Sequence, residues 1–417
     1  MSEALRSPIG THDVLPPESG RTGEVIATFA RLAGNAGFGL VITPVFEHLE
    51  VFQRVGATTD VVRKEMYVFE DRGGRTMALR PEGTAGVVRA YVQHRPTPPW
   101  KVFYVAPNFR YERPQKGRYR QHMQLGVEVL GVDDPAIDVE VIALAHTFFE
   151  AVGITDAQLR INSMGDPSTR PGYRVALQEY LQAAIPSPSP ALVELIAANP
   201  LRVLDSKDPA LATVIDGAPA LSDSLSDEAA THFGLVREGL NRLGIAHTID
   251  PRLVRGFDYY TRTTFEFSSA TLDAAQDAIG GGGRYDGLAE EMGGPPTPGI
   301  GFGIGLERVL LASGGEPGVG RLAVFIISAL DDPWESSQLA GALREAGMPT
   351  DRAFGGRSVK AQWKLADRSG AQFAVMLAPQ EHERGAVVVK ELATGDQTEV
   401  ARSALVAWIH EHRKHQQ

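Results

Sequence analysis

Residues 108–131 read NFRYERPQKGRYRQHMQLGVEVLG, and this stretch is the most informative part of the 417-residue chain. Two segments of alternating apolar residues flank a Pro-x-x-Gly turn, which predicts an antiparallel pair of strands. The turn and its borders carry five cations, namely Arg110, Arg113, Lys116, Arg118 and Arg120. Guanidinium groups bind phosphate through paired hydrogen bonds and stay charged, so the stretch suits a polyphosphate ligand. A solvated hairpin tip is the alternative, although Arg110 lies within the strand pattern, where a charge needs a partner.

Glycine is concentrated further along the chain, at residues 280–283, 293–294 and 299–305. The stretch GIGFGIGLERVL predicts a strand that runs into a helix carrying Arg308. It does not fit the dinucleotide-binding G-x-G-x-x-G motif, because Ile304 or Leu306 stands where the last glycine is required. Arg308 is therefore placed where a ligand phosphate can lie against the sheet.

A third stretch, ALRPEGT at residues 78–84, follows an apolar strand pattern. The strand is predicted to end at Arg80 and Pro81, after which Glu82 and Thr84 face the point where the sheet opens. Taken by itself, the pattern is also explained by a turn with a helix cap at Thr84.

The fourth stretch, LVRGFDYYTRTTFEF at residues 253–267, pairs a cation with two tyrosines. Arg255 precedes Gly256, which permits close approach of backbone to a ligand. Tyr259 and Tyr260 follow a carboxylate, and such hydroxyls can bind a polar, planar side chain through hydrogen bonds. An amphipathic strand with a tyrosine edge is the alternative interpretation.

The composition excludes several classes of protein. With 43% hydrophobic and 22% charged residues the chain is globular. The absence of cysteine excludes disulfides, thiolate zinc sites and a cysteine nucleophile. No apolar run reaches the length of about 18 residues that a membrane span needs, and the first residues lack the apolar core of a secretory signal. A cytoplasmic enzyme or binding protein remains.

Pattern changes along the chain predict two domains. Residues 1–320 read as an antiparallel sheet with flanking helices, interrupted at about 165–230 by short helices that look like an insertion. A Gly/Pro-rich linker follows at 313–321. Residues 321–417 alternate strands and helices, which predicts a small α/β domain. This second domain has no net charge, so the net charge of −10 lies entirely in residues 1–320.

In this order, the stretches resemble those of the histidyl-tRNA synthetase family of class II aminoacyl-tRNA synthetases. ITPVFE, FRYERPQKGRYRQ and GIGFGIGLERVL resemble the three class motifs, and LRPEGT and LVRGFDYYTRTTFE resemble the two histidine-specific stretches. GRSVKAQWKLADRSGA is similar to part of the anticodon-binding domain. The resemblance implies an α+β fold, namely the class II antiparallel sheet with flanking helices and a helical insertion, followed by a small α/β anticodon-binding domain.

The resemblance also implies an activity and its participants. The expected reaction is ATP-dependent ligation of L-histidine to tRNA(His) through a histidyl-adenylate, with Mg²⁺, in a cytoplasmic homodimer. The ligands of the metal are not indicated. Synthetase-like regulatory subunits of ATP phosphoribosyltransferase are an alternative, but they typically lack the anticodon-binding domain and have eroded arginine motifs. A synthetase for another amino acid is disfavoured by RGFDYY.

Residue roles follow from the resemblance alone. Arg255, Arg110 and Arg308 match catalytic arginines that contact the ATP phosphates, and Arg110 also contacts the histidine carboxylate. Glu112, Arg118 and His122 match further residues that contact ATP in the family. The pair His122-Met123 departs from the family's usual pair, which is an aromatic residue followed by His or Tyr. The histidine pocket matches Glu82, Gly83, Thr84, Gln124, Glu128, Tyr259, Tyr260 and Tyr285. Among these, Glu82, Thr84 and Gln124 match the cradle for the amino group.

A basic stripe in the second domain suits a nucleic-acid partner despite the acidic chain. Arg357, Lys360, Lys364 and Arg368 recur at helical spacing and fall on one face of a helix. Such a stripe can contact the phosphates of an anticodon stem, and a solvated helix face is the alternative.

Overall fold

The structure is a computed structural model that describes residues 5–56, 59, 61–204, 206, 208–254, 259–272, 277–314 and 322–414. The chain divides into two compact units, Met1–Leu15 with Arg21–Glu316 and Pro16–Gly20 with Pro317–Gln417. The boundary predicted between 320 and 321 falls outside the described residues and stays a prediction. Among the helices described, none has the length and apolar character needed to cross a membrane.

The strands before residue 315 form one large and one small sheet. In chain order they are β1 (Gly39–Leu40), β2 (Phe46–His48), β3 (Val68–Glu70), β4 (Thr76–Leu79), β5 (Trp100–Phe109), β6 (Gln121–Leu130), β7 (Ala157–Ser163), β8 (His247–Ile249), β9 (Thr261–Ser269), β10 (Ala278–Arg284) and β11 (Gly299–Gly305). The large sheet has the order β1-β5-β6-β11-β10-β9-β7-β8. Its inner pairings, from β5 to β7, are antiparallel as the sequence predicts, and only the two edge strands pair in parallel.

Strand alternation divides the residues of β6 and β11 between the two faces of the sheet. Leu125, Val127 and Val129 of β6 join the isoleucines and phenylalanine of β11 in a core on one face. Successive side chains of a strand point to opposite faces, so Gln124 and Glu128 lie on the other face with the glycines of β11. The glycine-rich pattern of GIGFGIG therefore leaves one face of a buried strand without side chains.

Helices cover both faces. Those before residue 315 are α1 (Glu18–Asn35), α2 (Leu49–Gly56), α3 (Thr84–His94), α4 (Pro135–Ala151), α5 (Arg170–Ala184), α6 (Pro190–Ala198), α7 (Leu201–Leu204), α8 (Ala212–Asp216), α9 (Asp227–Arg242), α10 (Leu288–Glu291) and α11 (Leu306–Ala312). α1, α4, α9 and α11 pack on the face with the apolar residues of β11. α2, α3 and the short helices of the insertion share the second core with Tyr259, Tyr260 and Tyr285.

The segment around Pro44 differs from the single strand that GLVITPVFE predicts. β1 ends at Leu40 and pairs with β5, whereas β2 begins at Phe46 and pairs with β4. Proline has no N–H for a ladder, and Arg80 Nη1 donates to the carbonyls of Thr43 (3.1 Å) and Pro44 (3.4 Å). The interruption allows one segment to join two sheets, of which the smaller has the order β2-β4-β3.

The C-terminal unit is an α/β sheet of five strands. They are β12 (Val324–Ser328), β13 (Thr350–Arg352), β14 (Phe373–Leu377), β15 (Ala386–Glu391) and β16 (Gln397–Ala401), in the order β13-β12-β14-β15-β16. The helices are α12 (Pro333–Glu345), α13 (Val359–Arg368), α14 (Pro379–Glu383) and α15 (Leu405–Lys414). β12, β13 and β14 are parallel, and β15 and β16 extend the sheet in antiparallel fashion.

Candidate active site

A cavity of about 340 Å³ lies on the face of the large sheet that carries Gln124 and the β11 glycines. Most of the residues assigned by resemblance line it, namely Glu82, Thr84, Arg110, Glu112, Arg118, His122, Gln124, Tyr259, Tyr260, Tyr285 and Arg308. Gly83 and Glu128 are not among the lining residues, and Arg255 lies outside the described residues. Residues far apart in the chain therefore meet at one site.

The ALRPEGT stretch places an acidic group at the beginning of α3. Glu82 is buried, and its carboxylate accepts hydrogen bonds from the backbone N–H groups of Thr84 (2.8 Å) and Ala85 (2.7 Å). These donors would otherwise lack an intrahelical partner, so Glu82 caps the helix. Burial raises the pKa of Glu82, while these hydrogen bonds and the charge of Arg110 act in the opposite direction. The cap holds a carboxylate at the wall of the cavity.

Gly83 contributes space and a backbone donor. A Cβ on Gly83 would lie 2.3 Å from the Tyr104 ring, so no larger residue fits without moving that ring. Its N–H donates to Gln124 Oε1 at 3.2 Å, and Asn108 Nδ2 donates to the same oxygen at 2.5 Å. The side-chain amide of Gln124 is thus held from two sides.

Glu128 lies behind the cavity wall rather than on it. Its side chain is fully buried. Thr84 Oγ1 donates to Glu128 Oε1 at 2.6 Å, the hydroxyl of Tyr104 lies 3.4 Å from the same oxygen, and the hydroxyl of Tyr285 bonds Oε2. Burial raises the pKa of Glu128 to about 8. The carboxyl therefore orients Thr84 and Tyr285, two residues that do line the cavity.

Three arginines bring positive charge to the cavity. Arg110 Nε donates to the Pro81 carbonyl at 2.9 Å, which fixes the guanidinium beside the α3 cap. Arg308 Nη1 donates to the Ala278 carbonyl. Arg118 forms an ion pair with Glu112 at 3.4 Å. Burial and the nearby charge of Arg118 lower the pKa of Arg308, although a guanidinium remains charged.

His122 lies in the cavity within reach of the charges of all three arginines. Burial lowers the pKa of His122 to about 3, and the charges of Arg110, Arg308 and Arg118 act in the same direction. The imidazole is therefore neutral at physiological pH. A neutral, flat ring beside three cations suits the base of a nucleotide whose phosphates reach the arginines.

The tyrosines form an aromatic wall. The Tyr259 and Tyr260 ring centroids are 4.6 Å apart, and Tyr285 meets Tyr259 edge-on at 5.9 Å. Arg170 of α5 donates from Nη1 to the Tyr260 carbonyl at 2.7 Å. The insertion, in which the sequence indicates no chemistry, thus supports this wall from behind.

Sequence reasoning missed two carboxylates that line the cavity, Glu266 and Glu307. Glu307 Oε1 accepts from the backbone N–H of Met123 at 2.8 Å, which ties α11 to β6. Glu266 accepts from Arg160 Nη2 at 2.8 Å. Glu266 stands between Phe265 and Phe267, so strand alternation places it on the face opposite the two rings, and that position is the signal that could have identified it.

The described residues include no group of three or more His, Asp or Glu side chains placed to hold a metal ion. Glu112 and Glu266 both line the cavity, and both act electrostatically on Arg308. Mg²⁺ usually binds one or two carboxylates together with substrate phosphates and water. The residues therefore fit an ion that arrives with a nucleotide rather than one held by the protein alone.

Comparisons with known proteins point to one family. A family model described as histidyl-tRNA synthetase matches residues 10–165 and 174–309, and an anticodon binding domain model matches residues 324–412. A histidine–tRNA ligase of Corynebacterium urealyticum is 47% identical over 98% of this chain and 97% of its own length. A histidine–tRNA ligase of Rhodococcus erythropolis is 47% identical over 97% of this chain and 98% of its own length. The crystal structure of apo histidyl-tRNA synthetase from S. aureus has a TM-score of 0.81 at 34% identity, covering 97% of this chain and 100% of its own.

Proposed function

The chain belongs to the histidyl-tRNA synthetase family, and we propose that the cavity beside Arg110 is where it activates histidine with ATP. The protein ligates L-histidine to its cognate tRNA in two steps. The histidine carboxylate attacks the α-phosphorus of ATP, forming histidyl-adenylate and releasing pyrophosphate. The terminal ribose hydroxyl of tRNA then attacks the adenylate carbonyl and AMP leaves. Neither step needs a side-chain nucleophile, so catalysis depends on positioning and fixed positive charge.

The observation that carries the proposal is the separation of charge within the cavity. Glu82 provides a carboxylate at one end, where it can accept the substrate ammonium group. Arg110 lies beside it, since Arg110 Nε donates to the carbonyl of the adjacent Pro81, and the charge of Arg110 acts to lower the pKa of Glu82. Arg118 and Arg308 line the same cavity, and their charges lie close enough for Arg118 to lower the pKa of Arg308. An amino acid whose carboxylate points toward Arg110 would meet the α-phosphate of a nucleotide bound along the three arginines.

Arg308 and Arg118 are assigned to the ATP phosphates, with Glu112 orienting Arg118 through their ion pair. His122 is assigned to the adenine ring because its imidazole is neutral. Mg²⁺ bound together with the nucleotide would supply positive charge to its phosphates. Glu112 and Glu266 are the carboxylates that would hold it, since both line the cavity near Arg308.

The imidazole of histidine is assigned to the aromatic wall of Tyr259, Tyr260 and Tyr285. Glu128 acts on this pocket through the hydroxyls of Thr84 and Tyr285, which it bonds directly. A site that hydrogen-bonds a polar group rejects analogues lacking it, because its own buried groups are then left unpaired.

The C-terminal unit is assigned to the tRNA. Arg357, Lys360, Lys364 and Arg368 are all exposed, and the last three lie on α13. Gln362 and Ala366 face the interior of the unit, so the basic face is the outward one. Because tRNA charging supplies protein synthesis, the proposed location is the cytoplasm.

We also propose a homodimer that buries the exposed apolar face near Pro44. Six exposed apolar side chains lie on or next to β1, β2 and β3, namely Leu40, Ile42, Val45, Phe46, Val68 and Phe69. The rings of Phe46 and Phe69 pack edge-on with centroids 6.1 Å apart, so β2 and β3 contribute to one surface. A contiguous exposed apolar patch marks an interface. Light scattering should give twice the 44.9 kDa chain mass, and a monomer at micromolar concentration would contradict this proposal.

ATP–pyrophosphate exchange with each of the twenty amino acids tests the assigned activity. Exchange should depend on histidine and on no other amino acid, and the full chain should then charge tRNA(His). Histidine binding without exchange would instead favour a synthetase-like regulatory subunit. That alternative has less support, because the anticodon binding domain model matches residues 324–412.

A further inference from the structure

Two side-chain amides are hydrogen-bonded at the cavity, those of the buried Asn108 and the half-buried Gln124, and only Gln124 is among the residues that the sequence indicates. Asn108 of β5 is fully buried. Its Nδ2 donates to Gln124 Oε1 at 2.5 Å, and its Oδ1 has no hydrogen-bond partner among the described residues. Buried polar atoms without partners are rare in native proteins, so this one calls for an explanation.

The orientation of both amides follows from a backbone donor. The N–H of Gly83 can only donate, so the Gln124 atom that it meets at 3.2 Å must be the oxygen. The Asn108 atom that faces this oxygen must then be its NH₂ group. If both amides were turned over, the NH₂ of Gln124 would oppose the N–H of Gly83. The unpaired Asn108 Oδ1 is therefore the consequence of keeping Gln124 in one orientation.

The same orientation decides which group Gln124 presents to a ligand. Its Nε2 lies against the strand β11, where a Cβ on Gly303 would come within 2.0 Å of it. Both Gln124 and Gly303 line the cavity. Gln124 thus offers a hydrogen-bond donor, whereas a residue that binds an ammonium group must offer an acceptor.

We propose that Asn108 is a positioning residue, which together with Gly83 fixes the NH₂ group of Gln124 toward the carboxylate of the bound histidine. This inference rests on the function proposed for the cavity. It changes the role that the resemblance implies for Gln124, which is to cradle the amino group. Glu82 remains as the acceptor for the ammonium group, and Gln124 joins Arg110 as a donor to the carboxylate that becomes the adenylate carbonyl.

Histidinol separates the two roles, because it keeps the ammonium group and the imidazole of histidine and lacks the carboxylate. Dissociation constants of L-histidine and histidinol are measured by calorimetry on the full chain. In Asn108→Leu, L-histidine should bind about fivefold more weakly, the usual effect of losing one neutral hydrogen bond. Histidinol should stay within about twofold of wild type. Ser269→Ala is the control, since Ser269 belongs to the same sheet and its hydroxyl bonds Asp156, which does not line the cavity.

Gln124→Glu provides a second test that does not change the size of the side chain. A carboxylate at this position repels the histidine carboxylate, so L-histidine should bind at least about tenfold more weakly. Histidinol should bind as well as before or better. Equal weakening of both ligands in Asn108→Leu, or selective weakening of histidinol in Gln124→Glu, would overturn the inference while leaving the proposed function intact. A wild-type chain that binds neither ligand would overturn both.

Discussion

Gly301 faces Glu128 across the antiparallel pair of β11 and β6, and a Cβ on Gly301 would lie 1.8 Å from Glu128 Oε2. The buried carboxyl therefore occupies the volume that any other residue at 301 would fill. A Cβ on Gly303 would likewise lie 2.0 Å from Gln124 Nε2, and a Cβ on Gly299 would lie 2.3 Å from the Tyr285 ring. The glycines of this strand make room for side chains that neighbouring segments send across its cavity face.

Gly301→Ala should displace Glu128 and destabilise the protein. The added methyl would also lie 2.4 Å from the Val127 carbonyl oxygen. Moving the Glu128 side chain therefore would not relieve the whole clash, because the backbone of β6 would have to move as well. Overpacking of this kind costs about 1–3 kcal/mol. Urea unfolding and the KM for histidine are measured on one preparation. The free energy of unfolding should fall and the KM should rise. Gly287→Ala is the matched control, because no atom lies within 4 Å of its added Cβ.

Glu128→Gln should flatten the pH dependence of stability. Burial raises the pKa of Glu128 from 4.5 to about 8, so the folded protein holds a proton that the unfolded chain releases. The stabilising effect is fully present below pH 4.5 and is lost as the pH rises through about 8. Glutamine keeps a neutral group in place and cannot titrate. Free energies of unfolding across this range should decline with pH in the wild type relative to the variant, and parallel curves would contradict the prediction.

His122→Phe should leave ATP binding almost unchanged, whereas His122→Ala should weaken it. The imidazole is neutral because burial and three arginines lower the pKa of His122 to about 3, and a phenyl ring can stack on adenine as well. Loss of a base-stacking contact costs about 1–3 kcal/mol, so the KM for ATP should rise by about tenfold or more in His122→Ala. A wild-type KM that titrates near 6.5, the ordinary value for histidine, would show that the imidazole is not neutral.

Arg255→Ala tests a residue that lies outside the described part of the chain, so this prediction rests on the sequence. A preorganised donor to the charge that develops on the α-phosphate typically contributes about 10²–10³ in rate. The kcat of pyrophosphate exchange should fall by that factor, with a smaller change in the KM for ATP. Arg255→Lys should restore little, because an ammonium lacks the planar fork. A lower Tm with an unchanged kcat would instead indicate that Arg255 pairs with Asp258.

Exchanging Lys360 and Lys364 for glutamate should impair tRNA charging and leave pyrophosphate exchange unaffected. Both side chains are exposed on α13. Each lost phosphate contact reduces the slope of log affinity against log salt by about one. The KM for tRNA is measured at two salt concentrations. Glu345→Lys, which changes charge on another helix of the same unit, is the control, and equal effects of both changes would contradict a specific role for α13.

The sequence by itself was sufficient for the fold class and the family, both of which are confirmed by the comparisons. Strand alternation and helical spacing are local properties, so the strands on both sides of the Arg-rich turn and the helix after the β11 glycines could be predicted from neighbouring residues. The order of five segments, each carrying chemically distinct residues, was specific enough to indicate the family. The roles given to individual residues remain predictions.

Only the tertiary structure decided which side chains contact each other across distant segments of the chain. Met123 and Glu307 are 184 residues apart in the chain and share a hydrogen bond, and nothing in either local pattern indicates this pairing. The sequence assigns Glu128 to the pocket, and the fold adds that its carboxyl bonds Thr84 and Tyr285, two residues that line the cavity. The sequence does not indicate a role for Asn108, because that role depends on the hydrogen bond from its Nδ2 to Gln124 Oε1. Local sequence patterns determine which secondary structure forms. The burial of a side chain and its hydrogen-bond partners depend on segments that meet only when the chain has folded.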